Sequence, residues 1–371
     1  MKISFIDLKR EAKLIKNELL NVTEDIILSG NYIGGKNVDL FEDKFSKFCG
    51  VSNSVSVGNG SDGLKIIMKA LDIGNGDEVI CPANSFIASA WSIFETGATP
   101  VYCDVEDDLL MSIRTIDKCK TLKTKAIMAV HLTGKLCDLD NILDYCTANN
   151  ILLIEDAAQS IGATNSKNKK AGSFGIASSF SLHPLKNLAV YGDGGIITTN
   201  SKDLAKEMKI IRNHGLINRD ESIRWGLNSR LDELQAAYGL VKLNYIDSWN
   251  KKHVEIADRY NRNISNKVIK PRTISGHLDI YHNYIIQVPI ELRDLIIESL
   301  LELGVETKIH YPIPLHLQKC SSELGYKNGD IQNVERLAKT MISLPIYHTL
   351  DDNEINYIIE SVNTVINKLI G

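Results

Sequence analysis

Apolar positions recur with two different periods along the first 200 residues of this chain, and the alternation between them predicts its architecture. Short apolar runs at 54–57, 79–81, 101–103, 125–130, 151–154, 176–181 and 196–199 have the length and β-branched content of buried strands. Stretches of helical spacing lie between them: Leu40, Phe41, Phe45 and Phe48 ahead of Gly50, then 64–71, 85–95 and 139–149. Strand and helix in turn predict an α/β domain whose mainly parallel sheet is covered on both faces. The texture changes after Asn200. Residues 204–212, 231–249 and 253–265 read as helices. Beyond them, 284–288 and 306–310 read as strands, 291–303 as a helix, and a last helix starts at Asp351. The pattern places a large domain over 1–249 and a smaller α+β domain over 250–371.

Composition narrows the function classes without choosing one. A formal charge of −4 over 371 residues gives no basic face for nucleic acid or an anionic membrane. No apolar run approaches the roughly 20 residues of a membrane span. The amino terminus becomes amphipathic and charged at once, unlike a signal peptide. The seven cysteines form no CxxC pair, so the expectation is reduced thiols in a cytoplasmic protein and no metal site.

Candidate chemistry concentrates between residues 151 and 200. The run 151–154 ends in Glu155 and Asp156, and open α/β sheets carry their ligand chemistry at the carboxyl ends of strands. Lys186 follows the next strand, among His183, Pro184, Leu185 and Leu188. An amine in such apolar company is desolvated toward its neutral form, the form that attacks a carbonyl. A second feature is Gly58-Asn59-Gly60-Ser61-Asp62-Gly63, which spells GxGxxG between a strand and a helix. Its backbone amides suit a phosphate, and the same letters suit a dinucleotide, so an NAD(P)-dependent oxidoreductase is one reading. The ribose-binding acid is misplaced for it: Asp77 and Glu78 precede the second apolar run instead of following it.

Glu155-Asp156-Ala157-Ala158-Gln159, Ser181 five residues before Lys186, Lys186-Asn187-Leu188 and Gly192-Asp193-Gly194-Gly195 occur here in one order. Together they resemble the pyridoxal-phosphate-dependent sugar aminotransferases of the DegT/DnrJ/EryC1/StrS family, and the resemblance runs over nearly the whole chain. It implies a type I aminotransferase-like fold with a large sheet domain and a small carboxyl-terminal domain. By the same resemblance Lys186 forms the Schiff base with pyridoxal 5′-phosphate and moves the substrate proton, and Asp156 pairs with the pyridine nitrogen. Gln159 contacts the ring hydroxyl, Phe86 stacks on the ring, and Ser61, Asp62 and Ser181 hold the phosphate. Asn228 reaches the phosphate of a neighbouring subunit, which implies a homodimer with shared sites. His310, Tyr311 and His316 correspond to the segment facing the sugar.

Each residue also has a plainer reading, as a capping acid, a core aromatic or, for Asn228, the N-cap of the helix expected at 231. His131 fits the family pattern without an assignable task, and His183 stands where relatives carry an aromatic. The implied reaction moves an amino group, by family habit from L-glutamate, to a nucleoside-diphosphate keto-sugar. The wording around Phe86, Asn228 and His310 favours a 3-keto-6-deoxy sugar over a 4-keto one. A dehydratase of the family lacks the lysine present here, and a DNA-binding regulator needs a basic segment that this chain does not have.

Overall fold

A computed structural model describes residues 1–371. Its main sheet contains β1 (Asn53–Val57), β2 (Glu78–Pro82), β3 (Thr99–Cys103), β4 (Thr124–Val130), β5 (Leu152–Asp156), β6 (Ala177–Ser181) and β7 (Gly195–Thr199). Their order across the sheet is β1-β7-β6-β5-β4-β2-β3. β7 runs antiparallel to both of its neighbours, and every other pairing is parallel. Six strands therefore point the same way, and their carboxyl ends share one edge of the sheet.

Helices cover both faces because their apolar stripes match the sheet. In Lys36–Cys49 the buried apolar side chains are Val38, Phe41, Phe45 and Cys49, spaced three or four residues apart, and Gly50 in the left-handed region (φ +72°) ends the helix. Phe45 meets Phe180 of β6 edge-on at 5.1 Å. Gly60–Ala70 starts directly after β1, with the Asn59 side chain accepting from the Asp62 N–H as its cap.

A second, two-stranded sheet pairs β8 (Tyr284–Gln287) with β9 (Met341–Leu344), antiparallel. It has its own apolar core, to which Ile256 and Tyr260 of helix Ile246–Asn263 contribute together with Ile3 from the amino terminus. Ile246 of that helix, and Ile280, Leu315 and Leu337, belong instead to the core of the main sheet. The Ile3 N–H donates to Gly304 O at 2.7 Å, docking the first residues on the second core.

Three expectations change. Residues 306–310 form no strand; Lys308 makes a single bridge with Ser343. The partner of β8 is β9, fused without glycine or proline to the preceding helix Gln332–Thr340, so nothing in the sequence punctuates it. The helix expected over 231–249 breaks at Asn244 and Tyr245 into Glu233–Leu243 and Ile246–Asn263.

Candidate active site

At the shared carboxyl edge lies a cavity of about 460 Å³. The segments after β1, β2, β4, β5 and β6 deliver Ser61, Phe86, His131, Gln159 and Lys186 to its wall, with Asp156 and Ser181 at the tips of β5 and β6. The carboxyl-terminal part of the chain adds His282, Asn283, His310 and Tyr311, and the amino terminus adds Phe5 and Ile6.

Lys186 stands in a tight turn after β6, its N–H donating to His183 O at 2.8 Å, while the Val190 N–H donates to Leu182 O at 2.8 Å. By surface area Lys186 is only half-buried because it faces the cavity, yet the surrounding protein desolvates its amine. That desolvation, partly opposed by the charge of Asp156, lowers its pKa from 10.5 to about 8. The amine is thus available in neutral form, as a Schiff-base nucleophile requires.

The Asp156 carboxylate is held at both oxygens. Ser89 Oγ donates to Oδ2 at 2.7 Å, and the Ala158 N–H donates to Oδ1 at 3.2 Å. Because the Ser89 proton is committed to Asp156, Ser85 donates to Ser89 in turn, at 2.7 Å. Ser85 and Ser89, four residues apart, were not signalled by any motif in the sequence.

The start of helix Gly60–Ala70 forms a second polar region. The amides of Gly60 and Ser61 have no intrahelical acceptor and belong to the end of the helix that attracts anions. A Cβ on Gly60 would lie 2.9 Å from Ser181 Cβ, so glycine is what lets the helix start approach Ser181. Asp62 does not share the cavity. Its carboxylate accepts from Asn59 Nδ2 at 3.1 Å and serves the cap.

The ring-sized space between these groups has an aromatic side. Phe86 is 54% exposed despite its size, and its ring lies 5.8 Å from that of Tyr311. Gln159 Oε1 accepts the Thr133 N–H at 2.7 Å, which turns its Nε2 toward Tyr311 Oη at 3.3 Å. Burial, with the charge of Asp156 adding to it, pushes Tyr311 up to about 12. His310 bonds Ser343 Oγ through Nδ1 at 2.9 Å and stacks on Phe5, and burial with the positive charge of Lys186 lowers it to about 4.

Besides Asp62, two more expected residues lie elsewhere. His316 is a correction: it is 1% exposed, outside the cavity, and bonded through Nε2 to Glu335 Oε1 at 3.0 Å. Asn228 is exposed and does not reach this cavity; nor does it cap the next helix, whose N-cap is Asp232. His131 acquires a task. Its Nδ1 accepts the Cys137 N–H at 3.4 Å, so its Nε2 carries the proton donated to Glu155 Oε2 at 3.1 Å. Glu155 also accepts from the amides of Gly172, Phe174 and Gly175 at 2.8 Å each. Burial raises its pKa, but His131 and these amides outweigh that and hold the carboxylate below its ordinary 4.5. Phe5, Ile6, His282 and Asn283 were missed by sequence reasoning, because no local pattern marks a residue that reaches the cavity from a distant segment.

A desolvated amine, a fixed carboxylate, free helix-start amides beside Ser181 and an exposed aromatic fit pyridoxal 5′-phosphate: Lys186 for the aldehyde, Asp156 for the ring nitrogen, Gly60, Ser61 and Ser181 for the phosphate. A dinucleotide lacks its acid, since Glu78 begins β2 and lies at the opposite edge of the sheet.

Comparison with known proteins agrees. The chain is 40% identical over 367 residues to the dTDP-3-amino-3,6-dideoxy-α-D-galactopyranose transaminase of Aneurinibacillus thermoaerophilus, over 97% of this chain and 99% of that one. It is 36% identical over 368 residues to the pleiotropic regulatory protein of Geobacillus stearothermophilus, over 98% of each. The crystal structure of S. venezuelae DesV with a ketimine intermediate superposes with a TM-score of 0.94 at 31% identity, covering 98% of both chains. Residues 13–363 match the DegT/DnrJ/EryC1/StrS aminotransferase family, and the chain belongs to it as a pyridoxal-phosphate-dependent sugar aminotransferase.

Proposed function

We propose that this enzyme moves the amino group of L-glutamate to the 3-keto carbon of a nucleoside-diphosphate 6-deoxy sugar. The observation that carries the reading is the desolvated Lys186 amine in one cavity with Asp156, whose charge reaches it. The 3-amino-3,6-dideoxy sugar in the name of the A. thermoaerophilus relative supports amination at C3.

Pyridoxal phosphate, when bound, supplies an electron sink for the carbanion left by proton loss. The chain's residues do the rest. Lys186 Nζ, with its pKa lowered to about 8, takes the proton from the substrate carbon and returns it. Asp156, immobilised by Ser89 and the Ala158 amide, keeps a negative charge beside the ring nitrogen. Gly60, Ser61 and Ser181 anchor the phosphate, and Phe86 covers the ring. Tyr311 and His310, both neutral at pH 7, present hydrogen-bonding groups to the sugar without adding charge.

The site is completed by a second copy of the chain. Asn228 lies on a segment with Ile223 at 54% and Trp225 at 93% exposure, apolar side chains that a partner would cover. No helix is long and apolar enough to cross a membrane.

The test is an absorbance titration of the purified holoenzyme with L-glutamate, then with dTDP- and UDP-linked 3-amino and 4-amino sugars in the reverse direction. Conversion of the visible cofactor band by L-glutamate and by a 3-amino sugar is expected. Conversion by 4-amino sugars alone would overturn the C3 assignment.

A further inference from the structure

A second, smaller cavity of about 30 Å³ adjoins the large one, and Ile6, Leu185, Lys186, His282 and Ile346 line both. It has room for about one or two water molecules. His253, His348 and Glu11 line the smaller cavity but not the larger.

Water stays in so small a space only where polar groups face it, and the fold fixes two acceptors there. His253 Nδ1 lies 3.0 Å from Tyr281 O, which can only accept, so Nδ1 carries the ring proton. Burial pushes His253 down to about 4, so the ring is neutral and its Nε2 can only accept. His282 is set by a longer chain. Asn250 Nδ2 donates to Ile161 O at 2.8 Å, which leaves Asn250 Oδ1 to accept from Asn187 Nδ2 at 3.1 Å. Asn187 Oδ1 therefore accepts from His282 Nδ1, at 3.0 Å. Burial, with the positive charge of Lys186 adding to it, holds His282 well below 6.5, so its Nε2 is also a bare acceptor. Neither Nε2 has a hydrogen-bond partner in the chain, and neither is sealed from water. On another part of the wall, Glu11 bonds to Lys242 Nζ through Oε1 at 2.6 Å, while its Oε2 lies 3.8 Å from His348 Nε2. Glu11 is half-buried and its neighbour on this wall, Leu8, is exposed, so solvent is near at that end.

We propose that the small cavity is a water site held by His253 Nε2 and His282 Nε2, through which Lys186 exchanges protons with solvent during turnover. A substrate in the large cavity displaces water from that side of the amine, and the small cavity leaves a second side hydrated. The exchange balances: the Lys186 ammonium gives one N–H proton to the water and takes another from it, and the two histidines orient that water without being protonated. His253 is thus a positioning residue that acts through water. The assignment rests on the reading of Lys186 as the group that takes and returns the substrate proton.

The test follows a labelled proton in the holoenzyme. L-Glutamate carrying deuterium on its α-carbon is converted in a single turnover in ordinary water, and deuterium in the released aminated cofactor is read by mass spectrometry. An ammonium holding one deuteron and two protons returns the label at most about one time in three if nothing exchanges. Wild type is expected to fall well below that. His253→Phe fills the ring space without an acceptor and should raise retention about threefold or more toward this ceiling. His253→Gln, whose amide end reaches the Nε2 position, should bring it back down. Wild-type retention already at the ceiling overturns the proposal, and so does slower turnover by His253→Phe with retention unchanged, the signature of a structural role. A crystal structure of the wild-type holoenzyme supplies a check that needs neither variant nor substrate: ordered water bonded to His253 Nε2 is expected, and a dry cavity overturns the proposal. Failure of the glutamate reading registers separately, as a wild-type cofactor band that glutamate does not convert.

Discussion

Replacing Lys186 by methionine should make the cofactor-free protein more stable at neutral pH. The unfolded chain ionises this amine with an ordinary value of 10.5, and the folded chain with a value of about 8. Below pH 8 the group is protonated in both states, so the cost of keeping an ammonium in the cavity wall is fully present. Each pH unit between the two values corresponds to about 1.4 kcal/mol, which puts that cost at no more than about 3 kcal/mol at pH 7. As pH rises past 8 the native state releases the proton first while the unfolded state still binds it, so wild-type stability rises. At pH 10 the remaining difference is about 1 kcal/mol. Methionine has nearly the same shape and no charge, so Lys186→Met removes the cost at every pH. With an unfolding entropy near 2.1 cal/mol/K per residue, 371 residues make about 3 kcal/mol equal to roughly 4 °C. Thermal unfolding of both cofactor-free proteins at pH 7 and pH 10 is the assay. A variant that melts higher at pH 7, with the gap closing by pH 10, agrees with a desolvated amine. Equal melting temperatures at both pH values would refute it, and with it the origin of the nucleophile's reactivity.

Mixing inactive Lys186→Ala and Asn228→Ala chains under exchange conditions should restore activity to about a quarter of wild type. Half of the dimers are then mixed, and each mixed dimer has one intact site; no recovery on confirmed exchange would place Asn228 outside the active site. Glu155→Gln should lower stability by about 3 kcal/mol or more, since it leaves three amide donors facing a side chain that is itself a donor at one end. Because Glu155 lies below its ordinary 4.5 in the fold, its contribution is fully present at neutral pH and lost as pH falls below that value. The variant and wild type should therefore converge in acid urea titrations. Gly60→Ala forces a Cβ to within 2.9 Å of Ser181 Cβ and should weaken pyridoxal-phosphate binding about tenfold by absorbance titration, with little change in melting of the cofactor-free form.

Most of the sheet was legible because its strands are short, apolar and separated by glycines or helical periodicity. β9 was not, because Met341-Ile342-Ser343-Leu344 continues from the helix before it with no breaking residue. At the site, Asp156 and Lys186 could be found from local pattern, and the family resemblance added Gln159 and Ser181 on the same two segments. Ser89, His282 and Asn283 could not, since their proximity to Asp156 or to the cavity is a product of tertiary packing. His316 illustrates the opposite error. A histidine six residues after His310 looks like a companion to it, but Leu315 enters the main core and carries His316 to Glu335 instead.

Glu155 and Asp156 show how one strand divides structural from chemical work. Successive residues of a strand point to opposite faces, so two adjacent carboxylates at the end of β5 cannot share an environment. Glu155 is wholly buried, and its charge is consumed by His131 and three backbone amides. It has no oxygen left for a ligand, and it orders the 172–175 segment that leads into β6. Asp156 has only a serine hydroxyl and one amide, fewer donors than a buried carboxylate can accept, and it faces the cavity. The unfilled capacity is what a protonated ring nitrogen would satisfy. Exchanging the two residues would conserve composition and charge, yet it would put the shorter acid out of reach of the loop and the longer one into the space of the ring. Which acid faces the cavity is therefore decided by strand parity together with what the following loop demands, and the Glu-Asp order in the sequence records both.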